Sequence, residues 1–448
     1  MNKRIYLFLC LALLFFLSLP ASSSDIFPYE YKIEELDNGL KIVSIPLPEN
    51  PHIISYYTVV RSGSRNEVEP GKSGFAHFFE HMMFKGTKTV PREVYDDFLT
   101  ELGAGTNGYT TDDSTFYFVV FAGRENLEKV VRTEADRFMN LYYDEEMLKT
   151  EAQVIEGEYY ASVSSPFRRL YELMRDTAFE KHSYKHTVLG YLEDILDMPN
   201  QFEYSQLYKK RFYAPDNIIL LVVGDYDHTQ LMDYVRKYYS SWERSEYTLV
   251  TPVEPPQTKA KTAHYDWPSR TLPRLAIGYH GPSYSDEDKD LAALDLLAQI
   301  AFSQSSPLVQ KLVIDEQKCL NIYASFPDRR DPYLISFFAT LRKEEDMDTI
   351  RDEIFTELER MKTELVSESL LTEIKSNIKY SFANSLATTD GIAGSLVHYI
   401  NLTTDPGTIN KLFQLYETIT PQDIQDMAKK YFRNENSTVV TLKGGDSQ

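Results

Sequence analysis

The chain has 448 residues, 42% of them hydrophobic and 25% charged, with 67 acidic against 47 basic side chains and a formal net charge of −20. That length and balance describe a globular protein with room for two large domains. The negative field excludes nucleic acid as a partner, disfavours anionic lipid, and leaves neutral or basic polypeptides as the compatible macromolecules.

In chain order, residues 1–24 read as a removable secretory signal peptide. Lys3 and Arg4 precede an apolar run from Ile5 to Leu19, broken only by Ser18, and residues 20–24 supply the small side chains of a cleavage site. The run is short for a membrane span, which argues against an uncleaved anchor, and no later stretch approaches spanning length. The mature chain is therefore expected to be exported, periplasmic or secreted, without stable membrane insertion. Loss of the leader removes Cys10 and leaves Cys319 alone, so the mature monomer has no internal disulfide and depends on core burial.

Strands are expected at "LKIVSIPL" and "ISYYTVVRSGS", ahead of the stretch "GFAHFFEHMMF" at 74–84. On a helix, His77 and His81 stand one turn apart on one face, and Glu80 shares their stripe. That set offers two imidazoles to one ion and a carboxylate within reach of a water activated there. Ser73 marks the helix start and Lys85-Gly86 its end. A third ligand must come from another helix, and "EAQVIEGE" at 151–158 supplies Glu151 and Glu158, two turns apart on one face. Spacing leaves open which of the two ligates and which supports a ligand through a hydrogen bond. His182 and His186 in "HSYKH" form a rival pair, in a stretch rich in turn residues and without an acid between them.

Residues 245–262, "SEYTLVTPVEPPQTKAKT", carry three prolines and read as a linker between residues 25–244 and 263–448. The two halves share a signature: "KKRFYAPDNIILLVVGD" (209–225) and "KKYFRNENSTVVTLKGG" (429–445) align without gaps at an offset of 220. Each reads as a helix tail, an Asn-containing turn and a β-branched strand. In the second half, "RLAIGYHG" is a strand and a helix runs from about Asp286 to Phe302. Helices and strands cluster rather than alternate, so the fold class is α+β: two tandem α/β-sandwich domains made by duplication.

With its inverted His-x-x-Glu-His order, the sequence resembles the insulinase/pitrilysin family of zinc endopeptidases, the inverzincins, and most closely its half-length branch, which includes the mitochondrial processing peptidase subunits. "SGFAHFFEHMMFKGT" is similar to that family's metal helix and "EAQVIEGE" to its third-ligand helix. "GAGTNGYTTDDSTFYF" (103–118) is similar to its substrate-facing strand, and "HSYKHTVLGYLEDI" to a further landmark that makes His182 and His186 fold residues. The resemblance implies one Zn²⁺ per chain on His77, His81 and Glu158, with Glu80 as general base and Glu151 supporting a ligand. It also implies an extended peptide substrate paired to the strand at Asn107, Gly108 and Tyr109.

One departure stands out. Active members take an Arg and a Tyr from a second domain or a partner, and here the matching positions in "IDEQKCLNIY" are Asp315 and Ile322, with Tyr323 one residue off. The expectation is a metalloendopeptidase completed by a homologous, metal-free subunit in a heterodimer. The alternatives are an active homodimer with donors such as Arg329 or Arg330, and a structural or peptide-binding subunit with a vestigial site.

Overall fold

The computed structural model describes residues 25–48 and 52–445; the leader expected at 1–24 lies outside them. Among the described residues, eleven strands form two mixed sheets. The first holds β1 (Lys32–Glu35), β2 (Lys41–Pro46), β3 (Ile53–Val60), β4 (Gly105–Thr110), β5 (Thr115–Ala122) and β6 (Ile218–Gly224), in the order β1-β2-β6-β3-β5-β4. The second holds β7 (Lys261–Trp267), β8 (Arg274–His280), β9 (Cys319–Ser325), β10 (Leu334–Leu341) and β11 (Ser437–Gly444), in the order β7-β11-β8-β10-β9. In both, the last strand of the half pairs parallel with an early one, β6 on β2 and β11 on β7, and the other pairings are antiparallel. The strands expected around residues 40–47, 54–64 and 274–281 are β2, β3 and β8, and the expected helix from Asp286 begins at Lys289. Residues 242–260, between the sheets, carry no helix or strand.

The repeat is visible in the topology, with a one-residue slip. Asn217 donates to the Phe212 carbonyl at 2.8 Å and Asn436 to the Tyr431 carbonyl at 3.0 Å, so the turns match at 219. The strand faces agree: Ile218, Leu220 and Val222 face one core, as does Val439, while Ile219, Leu221 and Val223 face the opposite side, as do Val440 and Leu442. A one-residue shift in a strand exchanges its faces. The ungapped offset of 220 holds at the closing glycines because β11 is one residue longer than β6 (8 against 7).

Each sheet packs its own helices on one face and borrows one for the other. The first sheet carries α1 (Phe75–Met82), α2 (Arg92–Leu102), α3 (Leu127–Asn140) and α4 (Glu145–Val163) on one side. Its other side is covered by helix Thr389–Thr403 of the second half, through Ile392, Leu396, Val397 and Ile400. In return α5 (Pro166–Ala178), from the first half, lays Leu170 and Met174 on Ala276, Phe338, Val440 and Leu442 of the second sheet. Burial of each such large apolar side chain contributes roughly 1.5–3 kcal/mol, so neither sheet is complete without the other half.

A buried polar knot adds geometric definition where the halves meet. Asp112, in the β4–β5 turn, accepts from Arg175 (2.7 Å) and Arg329 (3.0 Å), and Asp113 accepts from Tyr184 (2.6 Å) and the Arg330 amide (2.9 Å). Asp331 accepts from Arg65 (2.5 Å) and lies 2.9 Å from His182 Nε2.

Two outcomes are expected. Leu396→Ala should cost about 2–5 kcal/mol in denaturant unfolding and shift one shared transition, because the cavity opens between the halves. The second concerns acid. Burial alone would raise Asp331, but His182 and Arg65 outweigh it and hold its carboxyl down to about 2. A depressed carboxylate contributes stability that is present above its unfolded pKa of about 4 and is lost as pH falls through the folded value. The unfolding free-energy gap between wild type and Asp331→Asn should therefore narrow as pH falls from about 5 to about 2.

Candidate metal centre

Helix α1 divides its faces by chemistry. Phe75, Phe78, Phe79 and Met82 recur at helical spacing and are buried in the first core, while His77, Glu80 and His81 occupy the remaining stripe. The start is not capped by Ser73, which bonds Asp194 instead. Gly74 is the N-cap, in the left-handed region (φ 90°), where an added Cβ would lie 2.6 Å from the Leu189 carbonyl oxygen. The orphan amides go to a buried carboxylate: Glu67 accepts from Gly74 N (2.8 Å) and Ala76 N (2.6 Å). Burial pushes the Glu67 carboxyl up to about 8, with those two amides opposing the shift.

Helix α4 crosses α1 and is started by Asp144, whose side chain accepts from Met147 N at 2.9 Å. Leu148, Ala152, Ile155 and Tyr159 form its buried stripe, with Glu151 buried among them and Glu158 at its solvent edge. Val154 faces solvent rather than the core.

Between the two helices His77, His81 and Glu158 bring one donor atom each within 4.8 Å of one another, the one convergence of this kind among the described residues. Glu158 Oε2 lies 3.5 Å from His77 Nε2 and 3.4 Å from His81 Nε2. His81 Nδ1 is 2.7 Å from Glu151 Oε1, and Lys85 pairs with the other Glu151 oxygen. Burial would raise Glu151, but its bonds to His81 and Lys85 hold it at about 2, so it is an ionised acceptor. The His81 proton is thereby placed on Nδ1, and Nε2 turns a lone pair toward Glu158 and His77. Burial, helped by His81, lowers His77 to about 3, so this ring is neutral near pH 7. Burial would lower His81, but its bond to Glu151 and the charge of Glu158 raise it above the ordinary imidazole range, so a bound cation would displace its proton. Two imidazole nitrogens and a carboxylate, converging without an intervening Lys or Arg, are the donor set of a divalent metal. The residues present fit zinc. Spacing alone left Glu151 and Glu158 interchangeable; the geometry separates them, with Glu151 behind His81 and Glu158 among the donors.

Glu80 sits on the same helix face and its Oε2 accepts from Thr110 Oγ1 at 2.6 Å. Burial raises the Glu80 carboxyl, with the Thr110 bond opposing it. Thr110 ends β4, the outer strand of the first sheet, which pairs with β5 alone among the described residues. Asn107 and Tyr109 are exposed on that strand. Gly108 points inward, where a Cβ would lie 3.1 Å from Tyr117 and 3.2 Å from Phe84, so its missing side chain serves packing under α1. A cavity of about 250 Å³ opens beside Thr110 and Tyr159, with Arg168, Tyr171 and Leu189 in its wall.

Residues 48–191 match the model of the insulinase family, peptidase family M16, and residues 203–378 match the model described as the peptidase M16 inactive domain. The chain belongs to the insulinase family. It is 29% identical over 413 residues to the zinc protease PqqE of Helicobacter pylori, with 91% of each chain covered. It is 24% identical to the beta subunit of the mitochondrial-processing peptidase of Saccharomyces cerevisiae, covering 92% of this chain and 90% of that one. The crystal structure of a protease from Helicobacter pylori superposes with a TM-score of 0.86 at 29% identity, covering 93% of this chain and 99% of that one.

For this insulinase-family chain, the second half brings neither an Arg nor a Tyr from the expected positions. Ile322 is buried in the second core, and Tyr323 stacks on Phe338 with ring centroids 5.3 Å apart. The Arg329 nitrogens go to Asp112 and the Asp328 carbonyl, and the Arg330 guanidinium to Asn401. His182 and His186 do not converge on the site: His182 faces Asp331, and His186 is buried 3.7 Å from Glu67. Sequence reasoning missed Thr110, Lys85 and Glu67. Lys85, one turn beyond His81, had a readable signal in its helical spacing; Glu67 and Thr110 act across tertiary contacts and had none.

Glu151→Gln should lower metal affinity about 10–100-fold while leaving the fold intact. Chelator competition followed by metal content reads the affinity directly, and near-ultraviolet circular dichroism reads the fold.

Proposed function

We propose that this chain is a zinc-dependent endopeptidase that cleaves extended peptides or unfolded polypeptides. The observation that carries the reading is the single helix face on which His77 and His81 meet Glu158 while Glu80 stands beside them, next to an unpaired strand edge. A divalent ion held by His77, His81 and Glu158 would supply Lewis acidity toward a scissile carbonyl and acidify a water. Cobalt and manganese also suit two histidines and a carboxylate; zinc is favoured by the names of the relatives.

The chain's own residues do the rest. Main-chain groups of β4 around Asn107, Gly108 and Tyr109 receive the substrate as an added strand, which reads backbone more than side chain. Glu80 accepts the water proton at Oε1, the oxygen that Thr110 Oγ1 does not occupy, and returns it to the leaving amine. Glu151 holds His81 in the tautomer that ligation needs. The cavity beside Thr110 admits one substrate side chain.

Donors for the developing oxyanion are not supplied by Asp315, Ile322 or the engaged Arg329 and Arg330. Loss of one such donor typically costs about 10²–10³ in rate. This favours a homologous partner subunit that lacks the metal motif and carries the Arg and Tyr, with a homodimer as the competing assembly. A vestigial, purely structural or peptide-binding site is disfavoured by the complete ligand set. Export to the periplasm or medium is part of the same proposal and rests on the leader-like residues 1–24; no described helix is long and apolar enough to cross a membrane.

Glu80→Gln is the deciding variant, assayed on a quenched fluorescent peptide with the chain alone and with its co-purified partner. Turnover should fall at least about 10²-fold while one metal per chain remains bound. Equal turnover by wild type and Glu80→Gln would reject the role of Glu80. Absence of turnover in either assembly would reject the peptidase reading.

A further inference from the structure

The turn that links β4 to β5 is held far more firmly than a four-residue connection requires, and part of its grip comes from the other half of the molecule. Thr111 N bonds the Ser114 carbonyl at 2.8 Å and closes the turn. Residues Asp112, Asp113, Ser114 and Thr115 are all buried. Asp112 Oδ1 accepts from Arg175 (2.7 Å) and Ser64 (3.1 Å), and Oδ2 accepts from Arg329 Nε (3.0 Å), with a second Arg329 nitrogen 2.9 Å away in the same ion pair. Asp113 is held by Tyr184 and by the Arg330 amide. Arg329 and Arg330 lie in the connection between β9 and β10.

By strand order, β9 and β10 are the second-half counterparts of β4 and β5. The two equivalent hairpin tips therefore meet, one from the metal-bearing half and one from the metal-free half. Immediately before the gripped turn stands Thr110, whose hydroxyl donates to Glu80 at 2.6 Å and lies 3.4 Å from Thr115 Oγ1. Thr115 in turn donates to the Ser62 carbonyl at 2.9 Å. The hydroxyl is thus placed by a turn that cannot shift without breaking the Asp112–Arg329 ion pair and its hydrogen bond.

We infer that Thr110 is the positioning residue of the general base, and that the metal-free half holds it in place through Arg329 and Asp112. The inference rests on the reading of Glu80 as the base. A hydrogen bond to a charged carboxylate is directional, and Thr110 orients Glu80 so that its free oxygen faces the reacting water. It gives the second half a role in the chemistry that requires no residue of its own to touch substrate. A planar guanidinium is the group suited to this grip, since a lysine in its place offers a point charge without the fork.

The test uses the full chain in whichever assembly turns over the fluorescent peptide, with metal content measured alongside. Thr110→Val should lower kcat about 10–100-fold with KM within about twofold and one metal per chain retained. Thr110→Ser, which keeps the hydroxyl, should recover most of kcat. Arg329→Lys should give an intermediate kcat and faster amide hydrogen exchange at residues 105–115, with exchange around α4 unchanged. Wild-type turnover matched by Thr110→Val would overturn this inference and leave the peptidase reading standing. Equal losses in Thr110→Val and Thr110→Ser, or a loss that tracks lost metal, would also overturn it. No turnover by wild type in any assembly would sink the peptidase reading, and this inference with it.

Discussion

Two imidazole lone pairs and a carboxylate oxygen, drawn from helices about seventy residues apart, face one another within 4.8 Å. With a cation bound, all three act as acceptors toward that point. Without one, the Glu151 bond and the Glu158 charge raise the proton affinity of His81, so metal and proton compete for the same ring. The surrounding chain has to keep α1 and α4 in place for either. The buried aromatic stripe of α1, the Glu67 carboxyl group at its first amides, and the Glu151–His81–Lys85 chain between the helices all act to that end. Each constrains a different freedom: the seat of the helix, its start, and the orientation of one ring. His77 shows the contrast, because its Nδ1 is buried without a protein partner and its ring is held by packing alone.

The exchange of helices between the sheets explains why the second half is retained although it carries no metal motif. A sheet with both faces apolar needs cover on both. In the first half the helices that carry the site occupy one face, and within residues 25–244 the segment at Phe27, Tyr29 and Tyr31 joins Val43, Ile45, Leu221 and Val223 in the cluster on the other, with no helix of that half. Helix Thr389–Thr403 supplies that cover, and α5 does the same in return. The repeated unit is therefore stable as a pair. Once paired, only one copy has to keep the ligands, and the other is free to diverge at Asp315 and Ile322 without loss of the fold.

Much of this was legible in the sequence wherever the signal was local. Helical spacing gave the His77–Glu80–His81 face, and the seven-residue separation of Glu151 and Glu158 put both on the α1 side of α4. The duplication was legible too, but not its true register. Matching glycines at 224 and 444 dominate an ungapped comparison, while strand facing, which sets the true offset, depends on burial that only the folded sheet reveals. Gly108 teaches the same lesson: its spacing is compatible with a turn or with close substrate approach, and its actual neighbours, Tyr117 and Phe84, are core residues. Thr110 is one of four threonines between residues 106 and 115, and only the fold brings it to Glu80.

The polar knot where the hairpins meet is a poor way to gain stability. Desolvating Asp112, Arg175 and Arg329 together costs much of what their attraction returns, and an apolar contact of equal volume would hold the halves at least as tightly. What an apolar contact lacks is direction. Side chains such as Leu and Ile slide over one another at small cost, whereas a carboxylate held by an N–H bond from each of two guanidinium groups is fixed in both distance and angle. Polar contacts cross elsewhere too, at Arg65–Asp331 and Tyr57–Asp390, but those at the turn beside Thr110 bear on the site, while Ile392, Leu396 and Met174 supply apolar burial. Apolar burial holds the halves together; charge geometry sets where the hairpin ends, and with it where Glu80 points.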